Sequence, residues 1–204
     1  MTSPRRGRFV VFEGIDGSGK SSTLAMIAKA LASDGLDPLA TREESAGPSG
    51  EWVRRSITEG WPPLATLHLF VADRVRHVGA EIEPALAAGR PVLCDRFLHS
   101  TLAYQSVTLG GALSMEQMRR MHDGWCPLPD RVLLFDADPV KAVARTTGRS
   151  ARSPYEKAEF LGKVRRAYLE LAKTEPERFT ILDADQDAAA LARDALAAVR
   201  KALA

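Results

Sequence analysis

The 204-residue chain contains no asparagine. That removes the Asn-Lys-x-Asp segment with which switch GTPases read guanine. Cysteine is scarce as well. Cys94 and Cys126 are the two present; they lie far apart, form no C-x-x-C and read as reduced thiols of a cytoplasmic protein. The four histidines (His68, His77, His99, His122) show no H-E-x-x-H or other ligand spacing, which argues against zinc. No apolar run is long enough to span a bilayer, and the N-terminus has no signal-peptide core. Excess charge of one sign is missing too. The net charge is +2 with acids and bases interspersed, so no track for nucleic acid and no face for an anionic membrane is visible. A Leu-Ser-Gly-Gly-Gln segment, the mark of transport ATPases, is likewise absent.

What the chain does have is Gly14-Ile15-Asp16-Gly17-Ser18-Gly19-Lys20-Ser21, which fits G-x-x-x-x-G-K-[ST]. Its context fits as well. Phe9-Val10-Val11-Phe12 reads as a buried strand, and from Ser21 apolar residues recur at helical spacing through Leu24, Ile27, Ala28 and Leu31. Gly14, Gly17 and Gly19 let the backbone curl and aim its N–H groups, together with those of Ser18 and Ser22, at an anion. The helix N-terminus adds partial positive charge. Lys20 can reach the β- and γ-phosphates of a nucleoside triphosphate, and the Ser21 hydroxyl can hold Mg²⁺. ATP and Mg²⁺ are the expected cofactors.

Taken in order, 1–7 reads as a solvated arm carrying Arg5 and Arg6. Strands are expected at Phe9–Phe12, Pro38–Thr41, Val92–Asp95, Arg131–Asp136 and Phe179–Asp183. Helices are expected at Glu51–Thr58, Leu64–Leu86, Leu98–Gln105, Ser114–Trp125, up to Ala144, at Glu156–Lys173 and at the alanine-rich C-terminus. The long helix shows an apolar stripe of Leu64, Leu67, Val71, Val75, Val78 and Ile82. Such alternation describes a P-loop α/β fold, a parallel five-stranded sheet with helices on both faces. No linker or repeat divides it, so residues 1–204 read as one domain with a lid segment at 146–155. Ligands in such sheets sit beyond the carboxyl ends of the strands, where Glu13, Thr41, Asp95 and Asp136 fall.

Four segments resemble thymidylate kinases, in order and spacing over nearly the whole chain. They are Phe12 to Ser22; Leu69-Phe70-Val71-Ala72-Asp73-Arg74 with His77-Val78; Asp95-Arg96 with Ser100-Thr101-Leu102-Ala103-Tyr104-Gln105; and Phe160, Val164, Arg165 with Tyr168-Leu169. The resemblance implies a nucleoside monophosphate kinase that turns ATP and dTMP into ADP and dTDP, and a homodimer. Phe70 and Arg74 share a helix face and can stack on a pyrimidine and donate to its carbonyl. A core ring and a surface ion-pair partner is the competing reading. Asp95 can serve the metal and Arg96 the acceptor phosphate, although an N-cap with a solvated arginine has the same spacing. Ser100, Thr101, Tyr104 and Gln105 belong to the segment the resemblance assigns to the acceptor, with Tyr104 crowding the ribose 2′ position. Asp16 resembles a carboxylate that serves the acceptor sugar or the metal.

Family members draw an extra cation from the phosphate loop or from the lid. Position 17 is Gly, so Arg149 and Arg152, beside Gly148 and Ser150, are the expected catalytic cations with Lys20 and Arg96; Arg145 lies in the same stretch. One segment departs. Thr41-Arg42-Glu43-Glu44-Ser45-Ala46-Gly47-Pro48 aligns with T-R-E-P-G-G-T-P, with Glu44 in place of Pro and Ser45-Ala46 in place of two glycines. A trans Glu43–Glu44 peptide and an altered loop path are expected, with Glu44 placing negative charge near the acceptor unless Arg42, Arg54 or Arg96 pairs with it. That leaves two other readings open: a kinase for another or modified (deoxy)nucleoside monophosphate, and a nucleotide-binding relative without catalysis.

Overall fold

The computed structural model describes residues 6–146 and 158–204. At its centre β1 (Phe9–Glu13) is buried along its whole length, between β3 (Val92–Asp95) and β4 (Arg131–Asp136). A strand hydrogen-bonded on both edges and covered on both faces tolerates no alternation, which is why Phe-Val-Val-Phe is continuously apolar. The edges are closed by β2 (Leu39–Arg42) and β5 (Phe179–Asp183), giving the order β2-β3-β1-β4-β5 with every pair parallel. The expected five-stranded parallel sheet is present. Register pairs Phe12 with Asp95 and Glu13 with Leu134, so the chemically active strand ends emerge on one rim.

Two groups of helices cover the sheet. In one, α1 (Lys20–Ser33) buries Thr23, Leu24, Ile27 and Leu31 and packs against α9 (Ala188–Leu203). Asp187 caps α9 by accepting from the N–H groups of Ala189 and Ala190 at 3.0 and 2.9 Å. In the other, α5 (Leu98–Thr108) lies between α3 (Pro63–His77) and α8 (Ala158–Thr174). Shorter helices connect these: α2 (Pro48–Thr58), α4 (Glu83–Ala87), α6 (Met115–Arg120) and α7 (Pro139–Thr146). The sheet core is tightened by the stacked rings of Phe12 and Phe135 at 5.8 Å and the edge-on pair Phe9–Phe97 at 5.0 Å.

Four expectations change. Leu64–Leu86 is a continuous helical rod, but Val78–Ile82 forms a π-helical turn between α3 and α4. Within it the apolar stripe is only half right: Leu67, Val78 and Ile82 are buried, whereas Leu64 and Val75 are 48% and 52% exposed. The face turned inward instead carries Thr66, Asp73, Arg74 and His77 beside Leu67, because those polar groups find partners inside. Ser114 does open α6, with a full capping box to Gln117, but the regular helix ends at Arg120. Gly7 is no part of a solvated arm. It is buried, its N–H donates to Leu86 O at 2.8 Å, and a Cβ there would run into the Arg90 carbonyl.

Behind the site, Glu175 ties three elements together. It accepts from Arg119 of α6 and from Arg178 Nε at 3.1 Å, and lies 3.5 Å from His99 Nε2 of α5. Burial opposes its charge, but the neighbouring His99 and Arg119 outweigh that and hold the carboxyl down at about 2. A depressed folded value stabilises above the unfolded value of 4.5 and is lost as pH falls toward about 2. Glu175→Gln should therefore lower stability at pH 7 by about 1–2 kcal/mol, after allowance for solvent screening. Chemical denaturation as a function of pH should show the gap closing across that acid window; a constant gap would assign the loss to packing.

Candidate active site

The phosphate loop joins β1 to α1 with three glycines at positive φ, Gly14 at 140°, Gly17 at 84° and Gly19 at 89°. Two of them are also sterically required. A side chain at Gly14 would meet the Phe135 carbonyl, and one at Gly17 the Ala142 carbonyl. Gly19 is the N-cap of α1 and offers no side-chain acceptor, so the first-turn N–H groups are not claimed by a cap. Lys20 is buried and its Nζ donates to Ile15 O at 2.8 Å and Ser18 Oγ at 3.3 Å. Desolvation, with Arg96 nearby, lowers its pKa to about 8, while Asp95, Asp16 and Glu13 pull the other way. Ser22 is exposed and its hydroxyl donates to Gly19 O at 2.9 Å, which secures the turn.

Ser21 and Asp95, the expected metal pair, are brought together across β1: the Ser21 hydroxyl donates to Asp95 Oδ2. Asp95 is 7% exposed, and its Oδ1 is buried without a hydrogen-bond partner among the described residues. A hydroxyl beside a carboxylate with one oxygen uncommitted fits Mg²⁺, which takes one or two protein oxygens and completes its shell with water and phosphate. Among the described residues no cluster of three or more His, Cys, Asp or Glu forms a dedicated metal cage.

Next to Asp95, Arg96 adopts φ 71°, a left-handed conformation that costs a non-glycine residue about 1–3 kcal/mol. Three bonds hold that turn. Arg96 N–H donates to Phe12 O at 2.9 Å, Phe97 N–H to Glu13 Oε1 at 2.9 Å, and Cys94 Sγ to Arg96 O at 3.0 Å. The turn aims the guanidinium at the loop. Nη2 lies 2.6 Å from Asp16 Oδ1 and 3.2 Å from Tyr104 OH, while Nη1 reaches Ser100 Oγ at 3.1 Å and Tyr168 OH at 3.4 Å. Its Cζ sits 4.9 Å from the Tyr104 ring centre. Burial works against ionisation of Asp16, yet Arg96 and Lys20, with the bonds from Arg96 and Tyr104, hold its pKa below the ordinary value. Asp16, Lys20, Ser21, Asp95, Arg96, Ser100 and Tyr104 thus form one constellation.

Sequence reasoning put its central member at the rim where ligands sit but gave it no role. Glu13, the last residue of β1, is fully buried. Oε1 accepts from the N–H groups of Phe97 and Ser100 at 2.9 and 3.1 Å, and Oε2 from Ser100 Oγ and Tyr168 OH at 2.5 and 2.9 Å. The carboxylate therefore caps α5 from another element and anchors α8 at the same point. Its signal was a carboxylate directly before the first loop glycine. One turn earlier on α8, Arg165 grips Asp136 at the end of β4 with Nε at 2.5 Å and Nη2 at 2.8 Å.

Arg74 and Thr101 meet in a second, fully buried cluster. Arg74 donates to both oxygens of Glu43, to Thr101 Oγ1 at 2.8 Å and to His122 Nε2 at 2.8 Å. The surface ion pair considered for Arg74 is thus replaced by a buried one, and neither Glu43 nor His122 was foreseen. Phe70, one turn before Arg74, is half-buried. Gln105 is buried with Oε1 unpartnered among the described residues. Arg149 and Arg152 lie outside the described residues, while Arg145 is drawn away to Ala184 O and Asp185, each at 3.1 Å.

The trans bond expected between Glu43 and Glu44 is corrected: that peptide is cis. Both flanks are pinned. Glu43 N–H donates to Asp95 O at 3.1 Å with its carboxylate on Arg74, and Ser45 gives its N–H and hydroxyl to Asp73 at 2.8 and 2.5 Å. Glu44 is half-buried; desolvation raises its pKa, and Arg42, Arg96 and Arg54 only partly counter this.

Replacing Glu13 by Ala strands two N–H groups and two hydroxyls and should cost about 2–4 kcal/mol of stability. With the frame of Arg96 loosened, turnover should fall at least about tenfold. Glu13→Gln keeps an acceptor and should recover most of the stability. Urea denaturation and kcat measured on both variants check this, and wild-type turnover in a folded Glu13→Ala protein would refute it.

The geometry agrees with what the chain is similar to. The family model described as thymidylate kinase matches residues 12–195. A "Probable thymidylate kinase" of Methanoculleus marisnigri is 44% identical over 177 residues, covering 86% of this chain and 85% of the relative. One from Methanococcoides burtonii is 38% identical over 196 residues, covering 95% and 96%. A "Thymidylate kinase" of Ruegeria pomeroyi is 38% identical over 198 residues, covering 92% of each. With the phosphate loop, the Asp95-Arg96 turn and the Arg74 helix all standing where that match runs, the chain belongs to the thymidylate kinase family.

Proposed function

We propose that this protein is a thymidylate kinase, transferring the γ-phosphoryl group of ATP to the phosphate of dTMP. The observation that carries the reading is the junction of the phosphate loop with the start of α5, where Asp16 and Arg96 meet at 2.6 Å. A donor held in the loop and an acceptor phosphate held by Arg96 would face each other there. Phosphoryl transfer between phosphates needs little acid–base chemistry, because the attacking oxygen is already anionic; alignment and charge neutralisation do most of the work. The loop N–H groups and α1 cradle the donor, and Lys20 neutralises charge on the transferring group. Ser21 and Asp95 would hold Mg²⁺, which supplies further neutralisation across the β- and γ-phosphates. Asp16 keeps Arg96 oriented and Tyr104 lies over it, at the place where the ribose of the acceptor would pack.

Arg74 and Thr101, with Phe70 beside them, are assigned to the base; Ser100 and Gln105 belong to the acceptor side of α5. Arg149 and Arg152 enter as transition-state cations on the resemblance alone, and 1–204 enters as one kinase domain because no linker or repeat divides the sequence. A homodimer is part of the proposal. It is supported by the exposed Trp52 of α2 and Leu64 and Val75 of α3. So is a cytoplasmic place; among the described residues no helix is long and apolar enough to cross a membrane.

A coupled ADP-release assay over a panel of nucleoside monophosphates should show the highest kcat/KM with dTMP. ATP binding without turnover of any acceptor would overturn the proposal. Lys20→Ala should lose at least about a thousandfold in kcat while its thermal unfolding stays cooperative. Glu44→Gln removes a negative charge from the acceptor side and should lower KM for dTMP by about three- to tenfold, leaving KM for ATP unchanged. A rise in KM for dTMP would mean that Glu44 orients the arginines around it.

A further inference from the structure

Arg74 carries five N–H donors in one rigid plane. Nε–H lies between the two oxygens of Glu43, at 3.1 and 3.0 Å. Both hydrogens of Nη2 are committed, one to Glu43 Oε2 and one to Thr101 Oγ1. Nη1 gives one hydrogen to His122 Nε2 at 2.8 Å. Among the described residues a single N–H, the second on Nη1, is left over.

His122 decides that count. An arginine can only donate, so Nε2 of His122 has to be a bare acceptor. The proton sits on Nδ1, which donates to Met118 O at 2.8 Å. The ring is 3% exposed, with the Trp125 ring centre 5.3 Å away. Burial, reinforced by the Arg74 cation, lowers the imidazole pKa to about 4, so the neutral acceptor form is the one present at neutral pH. Glu43 balances the charge of Arg74 from the opposite side.

We propose that His122 is a positioning residue for acceptor recognition, occupying one Nη1 hydrogen of Arg74 so that the guanidinium addresses the base with a single, directed N–H. This rests on the assignment of Arg74 to the base made above. One donor matches one carbonyl oxygen. A base that presents an amino group at that point sets donor against donor, so Arg74, held in this direction by His122, favours oxo pyrimidines over amino pyrimidines.

The test uses dTMP, dUMP and dCMP as acceptors with the full chain. His122→Leu, which removes the acceptor and leaves the guanidinium untied on that side, should raise KM for dTMP about tenfold or more and lower kcat by less, with KM for ATP unchanged. The preference for dTMP and dUMP over dCMP should shrink with it. His122→Gln places an acceptor and a donor side by side and should restore both values. A folded His122→Leu enzyme with wild-type KM and preference, or a folded Gln variant that behaves like Leu, would overturn the proposal. Nitrogen NMR of the wild-type imidazole gives a readout that depends on no variant: a proton on Nδ1 and a bare Nε2 are expected, and Nε2–H would rule out the bond to Arg74. Normal dTMP turnover with silent His122 variants would sink this proposal alone. Absence of dTMP turnover in the wild type would remove the assigned function and this proposal together.

Discussion

The active rim of the molecule depends on one buried carboxylate. Glu13 ends the central strand with no exposure to water, and among the described residues no arginine or lysine side chain is hydrogen-bonded to it. A charge in that position is tolerated only when its lone pairs are filled. Here two N–H groups from the start of α5 and the hydroxyls of Ser100 and Tyr168 fill them. The consequence is geometric. With the first turn of α5 clamped to the end of β1, the chain leaving β3 must turn sharply, and Arg96 takes the left-handed conformation that the turn demands. Its guanidinium then emerges over the phosphate loop rather than into solvent. Tyr168 brings α8 to the same anchor, and Arg165 fastens that helix to Asp136, so the ends of β1, β3 and β4 are tied through one network.

A second polar core sits beneath α3. Asp73 accepts from Ser45 N–H, Ser45 Oγ and Ser49 Oγ at 2.8, 2.5 and 2.7 Å, while Arg74 is matched by Glu43. Adjacent residues of opposite charge thus bind successive parts of one loop, 43–49. A buried pair of this kind adds little net stability over apolar packing, but losing either partner is costly. Its effect is to fix the path of the loop and the roll of α3. That roll explains why Leu64 and Val75, which complete an apolar stripe in the sequence, face outward: the helix is oriented by its ion pairs and not by its most hydrophobic face.

The contrast marks what a sequence can disclose. The phosphate loop was legible because its requirements are local: glycines at the turn, a lysine and serine at the helix start, an apolar strand before them. Strands and most helices were legible for the same reason, through period and boundary residues. Ser21 and Asp95 were paired in advance because the first is the serine of the loop motif and the second ends a strand on the rim where ligands sit. The partners of Arg74 left no such trace. Glu43 is 31 residues away and His122 is 48, so neither falls within any helical or strand period. The loop after β2 failed for a related reason. A glutamate in place of proline argues locally for a trans bond, and contacts to Asp73, Arg74 and Asp95, all distant in sequence, prevail over that local preference.

Asp16 is where the two halves of the site become one. It belongs to the phosphate loop by sequence, yet its carboxylate is spent on Arg96, in the turn after β3, and on Tyr104 of α5. Held below its ordinary pKa, it stays anionic through the neutral range and keeps Arg96 charged and oriented. Lys20, by contrast, has been brought to about 8 by desolvation and by that same arginine. Two cations this close repel, and Asp16 lies in the electrostatic reach of both. Phosphate groups entering from either side add negative charge that relieves the repulsion. On the proposed assignment, each nucleotide would meet a site whose cations are already aimed but incompletely neutralised, with Asp16 placed between them.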